Sequence, residues 1–197
     1  MNIAIIDYGL GNVRAFTNFL DFCSIKNKVI SNVNEGVDGY DALVLPGVGA
    51  FDEGVNRIKK MEFDKLILDS VPKIKIIGVC LGMHLLYDQS EEGSESGLGL
   101  ISGFVTKINK SSENSIPNIG WRRVAIEETS KLWIPDSKFY FNHSFGLLAS
   151  ETGFVLGKTY GETQITAIVQ KNEIYGLQFH PERSHSYGKK LFLKIFS

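Results

Sequence analysis

Ile74-Lys75-Ile76-Ile77-Gly78-Val79-Cys80-Leu81-Gly82-Met83-His84, continuing to Gln89, is the stretch whose reading decides the fold. Its apolar run, Ile74 to Val79, predicts a buried strand that stops at Cys80. Beyond it, Gly82 to Gln89 places Met83, Leu86 and Tyr87 at helical spacing. Gly78 and Gly82 stand two residues either side of the cysteine. The result is Gly-x-Cys-x-Gly, the thiol counterpart of the Gly-x-Ser-x-Gly nucleophile elbow. A sharp strand-to-helix turn strains the nucleophile's backbone, and small flanking residues let the chain pass without collision. Cys80 then projects from the carboxyl edge of a sheet, at a helix N-terminus that favours thiolate. A cysteine simply buried in a strand is the plainer alternative.

Bulk properties narrow the field. The chain has 197 residues, a formal net charge of −1 and 43% hydrophobic residues. That length suits one domain over residues 1–197 with a sizeable core. Without a basic excess or a charge block, nothing points to nucleic acid. The apolar runs are too short to span a bilayer, and Met1 opens directly into a strand, so neither membrane nor leader is expected. Two cysteines, Cys23 and Cys80, argue against a disulfide framework and fit a reduced, cytoplasmic setting.

Outward from the elbow, Asn2–Asp7 predicts a first strand, followed by a helix with Val13, Phe16, Phe19 and Leu20 on one face. The intervening Gly9-x-Gly11 invites a dinucleotide reading. It fails because Arg14 holds the third glycine position and no acidic residue ends the strand near Val29–Ser31. Asp41–Leu45 predicts another buried strand. It runs into Pro46-Gly47-Val48-Gly49 and then an amphipathic helix through Val55, Ile58, Met61 and Leu66. Ser90–Gly99 reads as a polar surface loop, and Ile116–Trp121 as a second loop carrying an aromatic. Shorter strands are expected at Phe104–Ile108, Arg122–Ile126, Lys138–Asn142, Phe154–Thr159, Thr166–Gln170 and Ile174–Phe179, with a closing helix at Tyr187–Phe196. The fold expected is an α/β open sheet, flavodoxin-like, with a parallel centre, antiparallel additions and helices on both faces.

The strand Ile174–Phe179 delivers His180-Pro181-Glu182. In extended chain, residues two apart face the same way, so Glu182 can orient the His180 imidazole. An imidazole so held is the base that a thiol nucleophile needs. His180, Glu182 and His185 as metal ligands form the competing reading; with the elbow supplying a partner, no metal and no cofactor are expected.

Together, Gly78–Met83, Pro46–Gly49 and Gln178–Ser184 resemble the class I (triad) glutamine amidotransferases. Asp7-Tyr8-Gly9-x-Gly11-Asn12, Gly120-Trp121 and Tyr140-Phe141-x-His143-Ser144-Phe145 are similar, within that class, to the glutaminase subunits of imidazole glycerol phosphate synthases. The resemblance implies that Cys80 attacks glutamine, with His180 as base and acid and Glu182 as its orienter. It places the oxyanion on the Leu81 and Val48 N–H groups. Gly47, His84, Glu92, Ser144 and Phe145 are implied to hold L-glutamine. Leu10, Asn12, Trp121, Tyr140 and Arg183 are implied to meet a (β/α)8-barrel cyclase in a heterodimer. Three residues depart from the pattern: His84 for the usual glutamine, Asn118 for histidine and Asn142 for an apolar residue. The first implies weaker or more pH-dependent glutamine binding. The departures leave open a paralogous glutaminase serving a sugar amidotransferase, a vestigial partner-binding subunit, or a stand-alone thiol amidase.

Overall fold

The computed structural model describes residues 1–71, 73–109, 116–150 and 153–197. In chain order the elements begin β1 (Asn2–Ile6), α1 (Val13–Phe22), β2 (Lys26–Ile30), β3 (Ala42–Gly47), α2 (Phe51–Lys60), α3 (Phe63–Ser70), β4 (Lys75–Cys80), α4 (Leu81–Leu85) and β5 (Tyr87–Ser90). They continue with β6 (Ile101–Lys107), β7 (Asn118–Ile126), β8 (Lys138–His143), β9 (Phe145–Gly146), β10 (Val155–Thr159), β11 (Thr166–Lys171), β12 (Ile174–Leu177) and α5 (His185–Ile195).

Alternation along the buried strands divides the molecule into two cores. Ile3 and Ile5 of β1 face one, with Val44 and Ile77; Ala4 and Ile6 face the other, with Leu43, Leu45 and Ile76. Helices α1 and α5 cover the first face, where Phe16, Phe19 and Phe192 pack edge to face with centroids 5.5–5.8 Å apart. Phe51, Val55, Phe63 and Ile67 of α2 and α3 cover the second.

Among the described residues the main sheet has nine strands in the order β2-β1-β3-β4-β12-β11-β10-β7-β8. Pairings from β2 through β12 are parallel, and those from β12 out to β8 are antiparallel. This is the expected parallel centre with antiparallel additions and helices on both faces. The strand bearing Cys80 lies between β3 and β12, which places three strand ends at one carboxyl edge.

Several local expectations need correction. The helix read over Gly82–Gln89 ends at Leu85, and Tyr87–Ser90 is a strand paired in parallel with β6. Together with β9 they form a three-stranded sheet that no local pattern announced. The Asp88 carboxylate accepts from the Gly103 N–H at 2.9 Å and helps hold this pairing. The single helix expected after Gly49 is two, broken where Glu62 turns left-handed at φ 58°. Asn118–Trp121, read as loop, belongs to β7, because six residues of β7 pair in register with β8.

The ring trio anchors both covering helices of one face. Phe192→Ala should lower the unfolding free energy by about 3–5 kcal/mol in urea titrations, the usual cost of emptying a buried aromatic site.

Candidate active site

At Cys80 the backbone has φ 53° and ψ −111°, a conformation that non-glycine residues adopt only when their surroundings impose it. The flanking glycines are required by close approach. A Cβ on Gly82 would collide with the Leu45 carbonyl, and one on Gly78 would lie 2.5 Å from the Gly82 oxygen. Register does the rest: Gly47 stands opposite Cys80 across β3–β4, and Leu177 opposite Val79 across β12–β4. With only five residues, α4 carries a weak dipole.

His180 follows β12 and is stitched to β8. Its N–H donates to the Tyr140 carbonyl at 2.9 Å. The Ser184 hydroxyl donates to the His180 carbonyl at 2.6 Å and accepts from the Tyr140 N–H at 3.0 Å. On the ring, Nδ1 pairs with Glu182 Oε1 at 2.8 Å, and both side chains are buried. Among the described residues Nε2 has no hydrogen-bond partner, and Cys80 is the other group besides Glu182 that acts on the ring's charge. Burial pulls the His180 pKa down, but hydrogen bonding and charge from Cys80 and Glu182 outweigh it and raise the value to about 10. A charged imidazole facing a thiol favours thiolate, the form that attacks. The thiol itself makes one long contact, 3.8 Å to the Asn142 carbonyl.

Cys80 opens into a cavity of ≈ 250 Å³. Val48 and Leu81, assigned to the oxyanion, both line it. So do four of the five residues assigned to glutamine: His84, Glu92, Ser144 and Phe145. The fifth, Gly47, lies one residue back in β3, packed against Tyr8 and Leu81 rather than in the wall. Glu92 accepts from the Phe51 N–H at 3.1 Å, and burial holds its pKa above the usual carboxylate value.

His84 is buried, with Nε2 2.9 Å from Gln178 Oε1. Burial lowers its pKa to about 4, against the raising effect of the Gln178 hydrogen bond. The ring is therefore neutral near pH 7, and the pH-dependent behaviour expected of it is confined to acid. Four further residues line the wall: Gly49, Pro117, Asn142 and His143. Sequence reasoning did not assign them to the site, although His143 directly precedes the assigned Ser144. A smaller cavity of ≈ 100 Å³ beneath α2 and α3 is lined by Val55, Ile58, Leu68 and Leu85, and neither a thiol nor an imidazole lines it.

Of the residues implied to meet a partner, Trp121 is exposed, packs edge-on against Tyr140 (6.3 Å) and stacks on His185 (5.5 Å). Arg183 lies over the Tyr140 ring at 4.2 Å. Leu10 and Asn12 stand on the β1–α1 turn; Asn12 caps α1 by accepting from the Ala15 N–H at 3.0 Å, and Leu10 packs beside Gly49. Among the described residues no group of three or more His, Cys, Asp or Glu could hold a metal ion. His185, needed for the metal reading, stacks on Trp121 instead.

A thiol on a strained elbow, a buried His–Glu pair and a polar cavity beside them are the parts of a cysteine-dependent acyl-transfer enzyme. The chain belongs to a family of such enzymes, described as Glutamine amidotransferase class-I, whose profile matches residues 4–197. It is 40% identical over 194 residues to "Imidazole glycerol phosphate synthase subunit HisH 2" of Methanococcus maripaludis, covering 96% of each chain. It is 39% identical to the HisH subunit of Oceanobacillus iheyensis, covering 96% of this chain and 95% of that one. The Leptospira interrogans HisH subunit is 36% identical, with 99% of each covered. Among solved structures, a crystal structure described as that of a glutamine amidotransferase superposes with a TM-score of 0.76 at 15% identity, covering 98% of this chain and 96% of that one. PurLQS from Thermotoga maritima superposes with a TM-score of 0.75 at 19% identity, covering 99% and 97%. These two likenesses establish the fold.

Two expectations follow. Iodoacetamide should modify Cys80 well before Cys23, whose thiol is raised by burial, and His180→Ala should slow the Cys80 reaction at neutral pH; mass spectrometry of timed aliquots reads both. Stability should also depend on pH in two directions. His84 and His143 are held down to about 4 and about 3, so their stabilising neutrality is full above an unfolded imidazole's ~6.5 and is lost as pH falls toward those values. His180 is raised, so its contribution is full below ~6.5 and is lost as pH climbs through about 10. Urea midpoints measured across this range should fall on both sides, and His180→Gln should flatten the alkaline arm.

Proposed function

We propose that this chain is the glutaminase subunit of an imidazole glycerol phosphate synthase, acting as one unit over residues 1–197 in the cytoplasm. The observation that carries the reading is the buried His180–Glu182 pair bearing on Cys80 at the mouth of a polar cavity. The names of the curated relatives support the choice of synthase.

In this mechanism the Cys80 thiolate attacks the side-chain amide carbon of L-glutamine. The oxyanion that forms is met by the Leu81 and Val48 N–H groups, donors of a kind worth about 3 kcal/mol each in the barrier. His180 hands its proton to the departing nitrogen, releasing ammonia and leaving a γ-glutamyl thioester. His180, now neutral, takes a proton from water, which attacks the thioester; glutamate leaves and the thiolate is restored. Glu182 keeps the ring oriented throughout. Glu92, His84 and the Ser144–Phe145 backbone hold the amino-acid end and flank of the substrate.

Ammonia in neutral water is mostly ammonium, which has no lone pair for attack. Passing it directly to a docked (β/α)8 cyclase avoids that loss. Trp121, Tyr140 and Arg183 are of the residue types that dominate binding energy at interfaces, and they pack on one another; with Leu10 and Asn12 of the β1–α1 turn they are the surface proposed to meet the cyclase.

Ammonia release from glutamine, with and without a cyclase and its nucleotide ligand, tests the assignment. The expected result is cyclase-stimulated release that Cys80→Ala abolishes and Glu182→Gln lowers by about 10²- to 10⁴-fold in kcat. A diazo-ketone glutamine analogue should mark Cys80; the lack of an adduct with the cyclase bound would sink the catalytic reading. Stimulation by a sugar amidotransferase in place of the cyclase would transfer the chain to that partner. His84→Gln should lower the KM for glutamine, and an unchanged KM would remove His84 from the substrate site. With His84 intact, its ring should contribute no change in KM between about pH 6 and about pH 9, since it stays neutral there.

A further inference from the structure

One wall of the cavity is held by a directed chain of hydrogen bonds. Arg122 Nε donates to Asn118 Oδ1 at 3.0 Å. The Asn118 amide nitrogen lies 2.9 Å from His143 Nε2, and His143 Nδ1 lies 2.7 Å from the Phe145 carbonyl oxygen. The direction is dictated at both ends. A carbonyl only accepts, so Nδ1 carries the ring proton; a guanidinium Nε only donates, so Oδ1 faces Arg122. His143 Nε2 is left as a bare acceptor for the Asn118 amide. Turning that amide around would set donor against donor at Arg122 and acceptor against lone pair at the ring.

The ring must also be neutral for this chain to close. Burial holds the His143 pKa down to about 3; the Phe145 carbonyl opposes this, and charge on His180 and Arg122 reinforces it. Asn118 and His143 are both buried, so a broken link costs the full desolvation of the group.

The ring grips a short, functionally placed piece of backbone. The Ser144 carbonyl is taken by the Ile108 N–H at 3.0 Å, and Phe145 pairs with Lys107 across β6–β9. His143 closes the turn between them by holding the Phe145 carbonyl, and Ser144 and Phe145 both line the cavity.

We propose that Asn118 and Arg122 are positioning residues for the glutamine site: they lock His143 in its neutral Nδ1–H tautomer, and that ring holds the Ser144–Phe145 backbone where glutamine binds. The proposal rests on the reading of the cavity as a glutamine site. Neither residue touches the reacting atoms, so binding should suffer more than chemistry.

Asn118→Asp preserves size but presents carboxylate oxygen to both neighbours. Nε2 can then be satisfied only by taking up a proton. Long-range ¹H–¹⁵N spectra of the wild-type protein at neutral pH should show His143 protonated at Nδ1 alone; in the variant Nε2 should be protonated. In the assembled synthase the variant should raise the KM for glutamine about tenfold while kcat stays within about threefold. Arg122→Lys, which cannot reproduce the Nε bond, should raise KM about threefold, and Asn118→His, which keeps one donor and one acceptor, should recover most of the loss. A wild-type His143 protonated at Nε2 overturns the proposal, as does an unchanged KM in folded, active Asn118→Asp. Should that variant fail to fold, the KM of Arg122→Lys decides in its place. A wild-type assembly that releases no ammonia from glutamine overturns the functional reading instead, and the tautomer spectrum still decides the relay.

Discussion

The left-handed backbone at Cys80 is the constraint on which the rest of the structure depends. Holding a non-glycine residue there costs on the order of 1–3 kcal/mol, so it persists only where the surroundings over-determine it. Here they do. The register of β3 and β12 fixes the end of β4 from both sides, Gly82 passes directly beneath the Leu45 carbonyl, and Met83, Leu85 and Leu86 are buried immediately beyond the turn. The strain is offset by a core that would have to be dismantled to release it. In return, the thiol is presented at the carboxyl edge of an open sheet, where cavities form in folds of this kind.

Around that thiol lie three buried imidazoles with different protonation, and the difference comes from their partners. His180 meets a carboxylate and a thiol, and is raised to about 10. His84 meets an amide oxygen, and His143 a carbonyl and an amide nitrogen; neither partner carries charge, and burial leaves both rings neutral. One proton donor is thereby placed beside Cys80 while the His84 and His143 rings stay uncharged. Concentrating a single positive charge on His180 is what an anionic nucleophile requires, and a second imidazolium nearby would compete for it.

Much of this was legible before any coordinates. The elbow was readable because its chemistry is local: an apolar run, a cysteine and two glycines within nine residues. The His180–Glu182 pair was readable because a two-residue spacing in extended chain sets both side chains on one side. Failures fell where a local pattern was overridden from a distance. Met83, Leu86 and Tyr87 have helical spacing, yet the chain leaves the helix after Leu85 to pair with Ile101–Val105. Asn118 to Trp121, with proline before and glycine within, looked like loop until six cross-strand pairs with β8 claimed it.

By itself, the sequence determined the strand-elbow-helix unit, the two helix-covered faces of the sheet, and the pairing of His180 with Glu182, because each is written in neighbouring residues or in a short period. Tertiary structure alone decided the three-stranded second sheet, the neutrality of His84 and His143, and the relay from Arg122 through Asn118 to the cavity wall. Those depend on pairs such as Asn118 with His143, 25 residues apart, and His84 with Gln178, 94 apart. A protonation state is set by whichever groups share a buried space, and no periodicity along the chain records who those neighbours will be.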